Sequence, residues 1–157
     1  MDISPLAQLA LCMVTAGLLA AFVPLTLFDV SLWLVAATVL AGMLFLLHAV
    51  MSFIRHKTTV NPQSPDMATT LVTSGIYSIT RNPMYVGMLI VLMALVLWLG
   101  AVSAVSAVLA FYLMIDRVQI RSEEAALTQT FGKHFEDYAV RVPRWLFIST
   151  TRGTTHD

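Results

Sequence analysis

Charge is what this sequence has least of: Asp, Glu, Lys and Arg make up 11% of its 157 residues, against roughly a quarter in soluble domains. With 58% hydrophobic residues, an ordinary soluble fold is excluded. Nine basic and nine acidic residues leave no net charge. No basic run is interleaved with aromatics, so nucleic acid is not an expected partner. The single cysteine, Cys12, rules out a disulfide framework or a cysteine metal site within one chain and reads as a buried, inert thiol. HExxH or comparable ligand spacing is lacking too, and no metal is implied. A basic leader is also missing. Asp2 stands where an n-region would be basic, and the apolar stretch behind it is too long for an h-region, so this segment is expected to be a retained span. Leu11 before Cys12 argues against a lipoprotein site. Internal repeats and low-complexity tracts are absent.

What is present is a series of long apolar runs. Ile3 to Phe28 carries no charge, and Val30 to Ile54 has His48 as its only ionisable group; each exceeds the roughly 20 residues that cross a hydrocarbon core. Asp29 marks the turn between them, and Pro24 breaks the first helix near its end. Residues 1–54 are thus expected to form a transmembrane hairpin. His48, near the end of the second helix, is read as structural, bonded to a neighbouring carbonyl or reaching for the interface. Residues 55–82 form a polar loop, with turn chemistry in Asn61-Pro62-Gln63-Ser64-Pro65-Asp66. Residues 83–115 are uncharged and too long for one comfortable span. A short second hairpin is expected, with a helix from Pro83 to Leu99, a break at Gly100 and a fourth helix from Ala101.

Residues 116–148 continue as interfacial helices. Gly132 is placed at a left-handed cap, a second amphipathic piece runs from Lys133 to Arg141, and Pro143 stops it. Trp145 and Phe147 beside Arg141 and Arg144 read as an interfacial anchor, and His56 and His134 as interfacial histidines. Residues 149–157 form a tail. All nine Lys and Arg fall in the central loop or after the fourth span, which places both segments, and both termini, on the cytoplasmic side. The expected class is an all-α multi-pass membrane protein of about four transmembrane helices in a single domain, with a cytoplasmic cofactor-binding loop and C-terminal amphipathic helices.

Chemistry concentrates where the polar loop re-enters a helix. Gly75 permits a tight turn, Asn82 can cap, and Pro83 suits the first helical position, leaving backbone N–H groups for a polar ligand. A plain capped helix start is the simpler explanation. Glu124 shares a helix face with Arg117 and Arg121, so an exposed ion-pair ladder is expected there. Glu123 lies instead on the stripe of Tyr112, Asp116, Leu127 and Phe131, a face that turns inward, where a carboxylate needs a partner such as a bound cation.

Thr69 to Tyr77, then Arg81-Asn82-Pro83-Met84-Tyr85-Val86-Gly87, then Glu123-Glu124, Phe131-Gly132, Tyr138 and Arg141-Val142-Pro143 together resemble the isoprenylcysteine carboxyl methyltransferases and their phospholipid methyltransferase relatives. The resemblance covers about half the chain. It implies a membrane methyltransferase that uses S-adenosylmethionine, releases S-adenosylhomocysteine and takes a lipophilic acceptor from the bilayer. It assigns the cofactor to Thr69, Thr70, Leu71, Val72, Gly75, Tyr77, Asn82, Pro83, Met84, Tyr85 and Glu123, and names no catalytic residue. Many relatives have histidine where Asn82 stands. The protein-modifying members have arginine, taken to hold a substrate carboxylate, where this chain has Gln119; Arg117, half a turn away, is the alternative cation for the acceptor. Phospholipid ethanolamine N-methylation is the other enzymatic reading, and a non-catalytic lipid-binding scaffold is the reading from another class.

Overall fold

The structure, a computed structural model, describes residues 4–55 and 70–146, all-helical but for one isolated bridge between Leu27 and Ala101. Helix α1 spans Pro5–Phe22, and the Ser4 hydroxyl caps it by accepting from the Ala7 N–H at 3.3 Å. It ends two residues before Pro24, which removes a backbone donor there. Helix α2 spans Leu32–Arg55. A short 3-10 turn, Gly75–Ser78, precedes α3, Pro83–Leu99. Pro83 opens α3 as expected. Gly100 closes it at φ +63°, ψ 23°, a left-handed conformation that disfavours a side chain. A Cβ there would also lie 2.4 Å from the Phe28 carbonyl oxygen. This close approach lets the Phe28 N–H donate to the Gly100 carbonyl at 2.8 Å, stitching the two interhelical turns together.

The fourth long helix begins with a 3-10 turn, Val102–Ala104, runs through α4, Val105–Met114, and continues into α5, Arg121–Phe131. Between α4 and α5 lies a π-helical segment, Ile115–Ile120, which the sequence periodicity did not indicate. Three helical stretches, Pro5–Phe22, Leu32–Arg55 and Val102–Phe131, are long and apolar enough to cross a membrane, and α3 is a shorter apolar helix. Charges on the fourth stretch begin at Asp116 and recur at Arg117, Arg121, Glu123 and Glu124, so Glu123 lies beyond the part suited to hydrocarbon. Helix α6 covers Lys133–Arg141. Gly132, between α5 and α6, has the expected positive φ of 53°, but its ψ of −128° is not that of a left-handed cap. Its N–H closes α5 on the Thr128 carbonyl, and its own carbonyl accepts from the Phe135 and Glu136 N–H groups that open α6.

The core joins α1, α3 and the fourth helix: Cys12 and Ala16 meet Met88, Leu92 and Val96, and then Ala107, Phe111, Ile115 and Ile120. Outward faces carry Leu6, Val14 and Leu18 on α1 and Trp33, Leu40 and Leu47 on α2, all exposed. That distribution suits a protein whose solvent is lipid. His48 is exposed and its Nδ1 lies 2.9 Å from the Leu44 carbonyl oxygen, the local bond expected of a structural histidine. Helix α2 packs along α3 through paired glycines. A Cβ on Gly42 would lie 3.1 Å from the Gly87 carbonyl oxygen, and one on Gly87 would lie 3.0 Å from the Gly42 carbonyl oxygen. The two backbones touch where neither residue has a side chain.

Candidate functional site

The predicted residues converge at the end of the bundle where α3 begins and α5 leaves the core. Tyr85, on the first turn of α3, is buried, and its hydroxyl donates to Glu123 Oε1. Gln119, in the π-helical segment and also buried, donates its amide Nε2–H to the same oxygen at 2.9 Å. Both bonds land on Oε1, which leaves Oε2 free of either donor. Among the described residues, no Lys, Arg or His comes within ion-pair range of Glu123. Burial therefore pushes its carboxyl up to about 7, only partly offset by the Tyr85 and Gln119 hydrogen bonds, with the Glu124 charge adding to the rise.

Beside this pair sits an aromatic and aliphatic wall. Val72 and Tyr77 are buried with Ala49, and Phe53, Ile76 and Met84 pack around them. The Tyr77 and Phe53 rings meet edge to face, 5.3 Å between centroids. Helix α6 closes over the 3-10 turn: the buried Tyr138 hydroxyl donates to the Tyr77 carbonyl at 2.7 Å. Leu71 packs against Phe135, Tyr138 and Val142. Gly75 starts the turn at φ +63° and is exposed, as is Thr70. Thr69, His56, the Asn61–Asp66 turn and Phe147 lie outside the described residues. Of the expected residues, Val72, Tyr77 and Met84 share one cluster and Tyr85 and Glu123 are hydrogen-bonded, whereas Leu71 packs against α6.

Three expectations are corrected. Glu124 does not form a ladder with Arg117 and Arg121, both of which are exposed. It pairs across the fold instead, with Arg81 at 3.0 Å and Arg144 at 2.5 Å. Helical-face reasoning offered only partners on the same helix, whereas two other segments dock on this side. Trp145 is no interfacial anchor: it is buried, its indole N–H donates to Asp116 Oδ1 at 2.9 Å, and its ring tilts against Tyr112 at 5.0 Å. Asn82 makes no side-chain cap. Its amide Nδ2–H donates to the Arg144 carbonyl at 3.1 Å, so the amide tethers a distant strand of chain. Pro83 is buried behind it.

The segment Val142–Leu146 was not foreseen as part of this region, yet two of its carbonyls are bound by the residues that lead into α3. The Pro143 carbonyl accepts from the Arg81 N–H at 3.0 Å, and the Arg144 carbonyl accepts from Thr80 Oγ1 at 2.9 Å. The Arg144 guanidinium spans Glu124 and Asp116, the latter at 3.2 Å. The Glu124 hydrogen bonds, with the Glu124 and Asp116 charges, hold this guanidinium more firmly charged than usual against the partial burial that opposes it. Among the described residues, no group of His, Cys, Asp and Glu is arranged to hold a metal.

A partly buried carboxylate without a cation among the described residues, beside aromatic rings at a helix start, can chemically accept a cationic, partly apolar group. Residues 30–134 match the phospholipid methyltransferase family. The chain belongs to that family. Its members are membrane methyltransferases acting on lipids, and the matched stretch spans α2 to the start of α6, including Tyr77, Tyr85 and Glu123. The chain is also 41% identical, over 63 residues, to an uncharacterized protein of Haemophilus influenzae, a match that covers 40% of this chain and all of that one. No solved structure matches.

Proposed function

We propose that this membrane methyltransferase uses S-adenosylmethionine, bound between the Thr69–Tyr85 segment and the helix carrying Glu123, to methylate a lipophilic acceptor drawn from the bilayer. The observation that carries the reading is Glu123, whose Oε1 is oriented by two neutral donors while, among the described residues, its carboxylate has no cation partner. The residues present fit this group. A carboxylate with a spare oxygen accepts hydrogen bonds from an ammonium or a ribose hydroxyl, and the rings of Tyr77 and Tyr85 favour a sulfonium through their negative faces. Leu71, Val72 and Met84 supply apolar surface for a base. When bound, S-adenosylmethionine supplies a methyl group on a cationic sulfur that leaves as a neutral thioether.

What the chain itself contributes is position and dryness. Tyr85 and Gln119 hold Glu123 Oε1, so the carboxylate is aimed before any ligand arrives. Helix α6, latched through Tyr138, shields Tyr77 from water. A carboxylate acceptor needs no base, as in isoprenylcysteine carboxyl methylation. An amine acceptor such as an ethanolamine headgroup first loses a proton, and Glu123, which unlike Glu124 and Asp116 is not bound by an arginine among the described residues, is the carboxylate available to take it. Gln119 and Arg117 remain the acceptor-side candidates. Gln119 is buried against Glu123 and carries no charge, whereas Arg117 is exposed. This arrangement favours an acceptor that brings no fixed negative charge to Gln119.

The same reading places the Arg-bearing segments and both termini in the cytoplasm, in a four-pass topology with α3 as a short span. Incubation with radiolabelled S-adenosylmethionine and total lipid, followed by mild base, tests the activity and the acceptor together. Label in lipid supports methyl transfer, and its survival or release by base separates methylamines from methyl esters. No label in any lipid, together with no binding of S-adenosylhomocysteine, favours a lipid-binding scaffold and overturns the proposal.

A further inference from the structure

Glu123 has no arginine partner among the described residues, although its chain neighbour Glu124 binds two. Arg81 and Arg144 lie on the same side of the fold, and both are committed elsewhere: Arg81 to Glu124 at 3.0 Å, Arg144 to Glu124 at 2.5 Å and to Asp116 at 3.2 Å. Two cations face two anions, so the cluster is neutral within itself. The side chains are 10% to 20% exposed, which leaves little water to screen them. Arg144 also touches both halves of the site. Its carbonyl holds Thr80 and Asn82, just before Tyr85, while its guanidinium holds Glu124, next to Glu123, and Asp116, near the start of the π-helical segment.

From this geometry we infer that Glu124 and Asp116 are positioning residues that sequester Arg81 and Arg144 away from Glu123, keeping its carboxylate available for a cationic ligand. The inference rests on the cofactor reading for its purpose but not for its mechanism. A carboxylate beside two unengaged guanidinium groups forms ion pairs with them, and a ligand ammonium must then displace one. The groups facing Glu123 itself are Tyr85 from α3, Tyr77 from the 3-10 turn, and Gln119 and Glu124 from its own helix. None of them is a cation. Among the described residues, segregation, not distance along the chain, leaves Glu123 without a cation.

The test needs no cofactor. The Glu123 carboxyl is followed by infrared difference spectroscopy of the full chain in lipid nanodiscs, with Glu123→Gln identifying its band, across pH 4.5 to 9 in wild type, Glu124→Gln and Asp116→Asn. Wild type is expected to titrate near neutrality. In Glu124→Gln, loss of a neighbouring negative charge and release of Arg81 and Arg144 both favour the ionised form, so the midpoint falls by about one pH unit or more. Asp116→Asn, which frees Arg144 only in part, shifts it in the same direction by less. Helical circular dichroism separates misfolding from titration, and Asp116→Asn carries the test if Glu124→Gln does not fold. An unchanged Glu123 midpoint in the folded variants overturns the inference, because a merely structural cluster changes stability without moving Glu123. Binding of S-adenosylhomocysteine is measured in parallel by calorimetry. Its absence in wild type sinks the cofactor reading alone, whereas a normal affinity in a variant whose midpoint has fallen shows that the sequestering does not serve the ligand.

Discussion

Replacing Gly87 by alanine adds one methyl group at the point where α2 and α3 touch. That methyl would lie 2.8 Å from Leu46 Cγ and 3.0 Å from the Gly42 carbonyl oxygen. Leu46 can rotate, but the carbonyl belongs to the α2 backbone, so the helices must separate. Overpacking of this kind costs about 1–3 kcal/mol. In a chain of this size each 1 kcal/mol lowers Tm by roughly 2–4 °C, so a fall of about 2–12 °C is expected. Gly17→Ala is the control: it also adds a methyl to a helix, and nothing lies within 4 Å of the added atom. The gain in helix propensity of up to about 1 kcal/mol makes this variant neutral or slightly more stable. Thermal unfolding in one detergent, followed by tryptophan fluorescence at one scan rate, compares the three proteins. Gly42→Ala should resemble Gly87→Ala, since its methyl would meet Val91 Cγ2 at 2.7 Å. Equal stability of Gly87→Ala and Gly17→Ala would refute the close approach of α2 and α3.

Other outcomes follow from the site. Tyr85→Phe removes one of the two donors to Glu123 and should weaken S-adenosylhomocysteine binding by about tenfold, in line with hydrogen bonds to charged groups of roughly 1.5–3 kcal/mol; calorimetry reads it. Gln119→Arg places a guanidinium beside Glu123 Oε1, so it should weaken cofactor binding instead of opening the site to prenylcysteine, and an assay with a farnesylcysteine analogue distinguishes the two. Cofactor affinity should be constant above about pH 7 and fall below it. The free carboxyl is raised to about 7 by burial, a bound cation favours its charged form, and acid therefore opposes binding. A pH series of calorimetric titrations that stays flat down to pH 5.5 would contradict that linkage.

Helix positions were legible because their limits are local. Pro83 and Gly100 bracket α3, and charges stop where the apolar helices begin, so the ends of α3 and the turn at Asp29 needed no tertiary knowledge. Helical phase set Glu123 apart from Glu124, and Glu123 bonds Gln119 four residues back. Asp116, however, expected on the Glu123 stripe, instead shares Arg144 with Glu124 because the π-helical segment and the docked 142–146 segment intervene. The π-helical segment was not legible, since Ile115–Ile120 has no residue that forbids an α-helix. The partners of Glu124 and Asp116 come from Arg81 and Arg144, which lie far away along the chain. A reading restricted to neighbours on one helix assigns such charges to the wrong pair. Trp145 failed for the same reason: a tryptophan beside arginine looks interfacial until the acid that binds both is brought in by the fold.

The central claim is that Glu123 receives a cationic cofactor. Calorimetric titration of S-adenosylhomocysteine, whose ammonium is the group Glu123 is assigned to hold, into wild type and Glu123→Gln at pH 8 tests it most directly, with thermal unfolding of both as the check on folding. Removing an unpaired, partly buried charge should leave Glu123→Gln as stable as wild type or more so, while its affinity falls at least about tenfold, the equivalent of roughly 1.4 kcal/mol. Equal affinities in two equally folded proteins would contradict the account, because the carboxylate would then be held in place for something else.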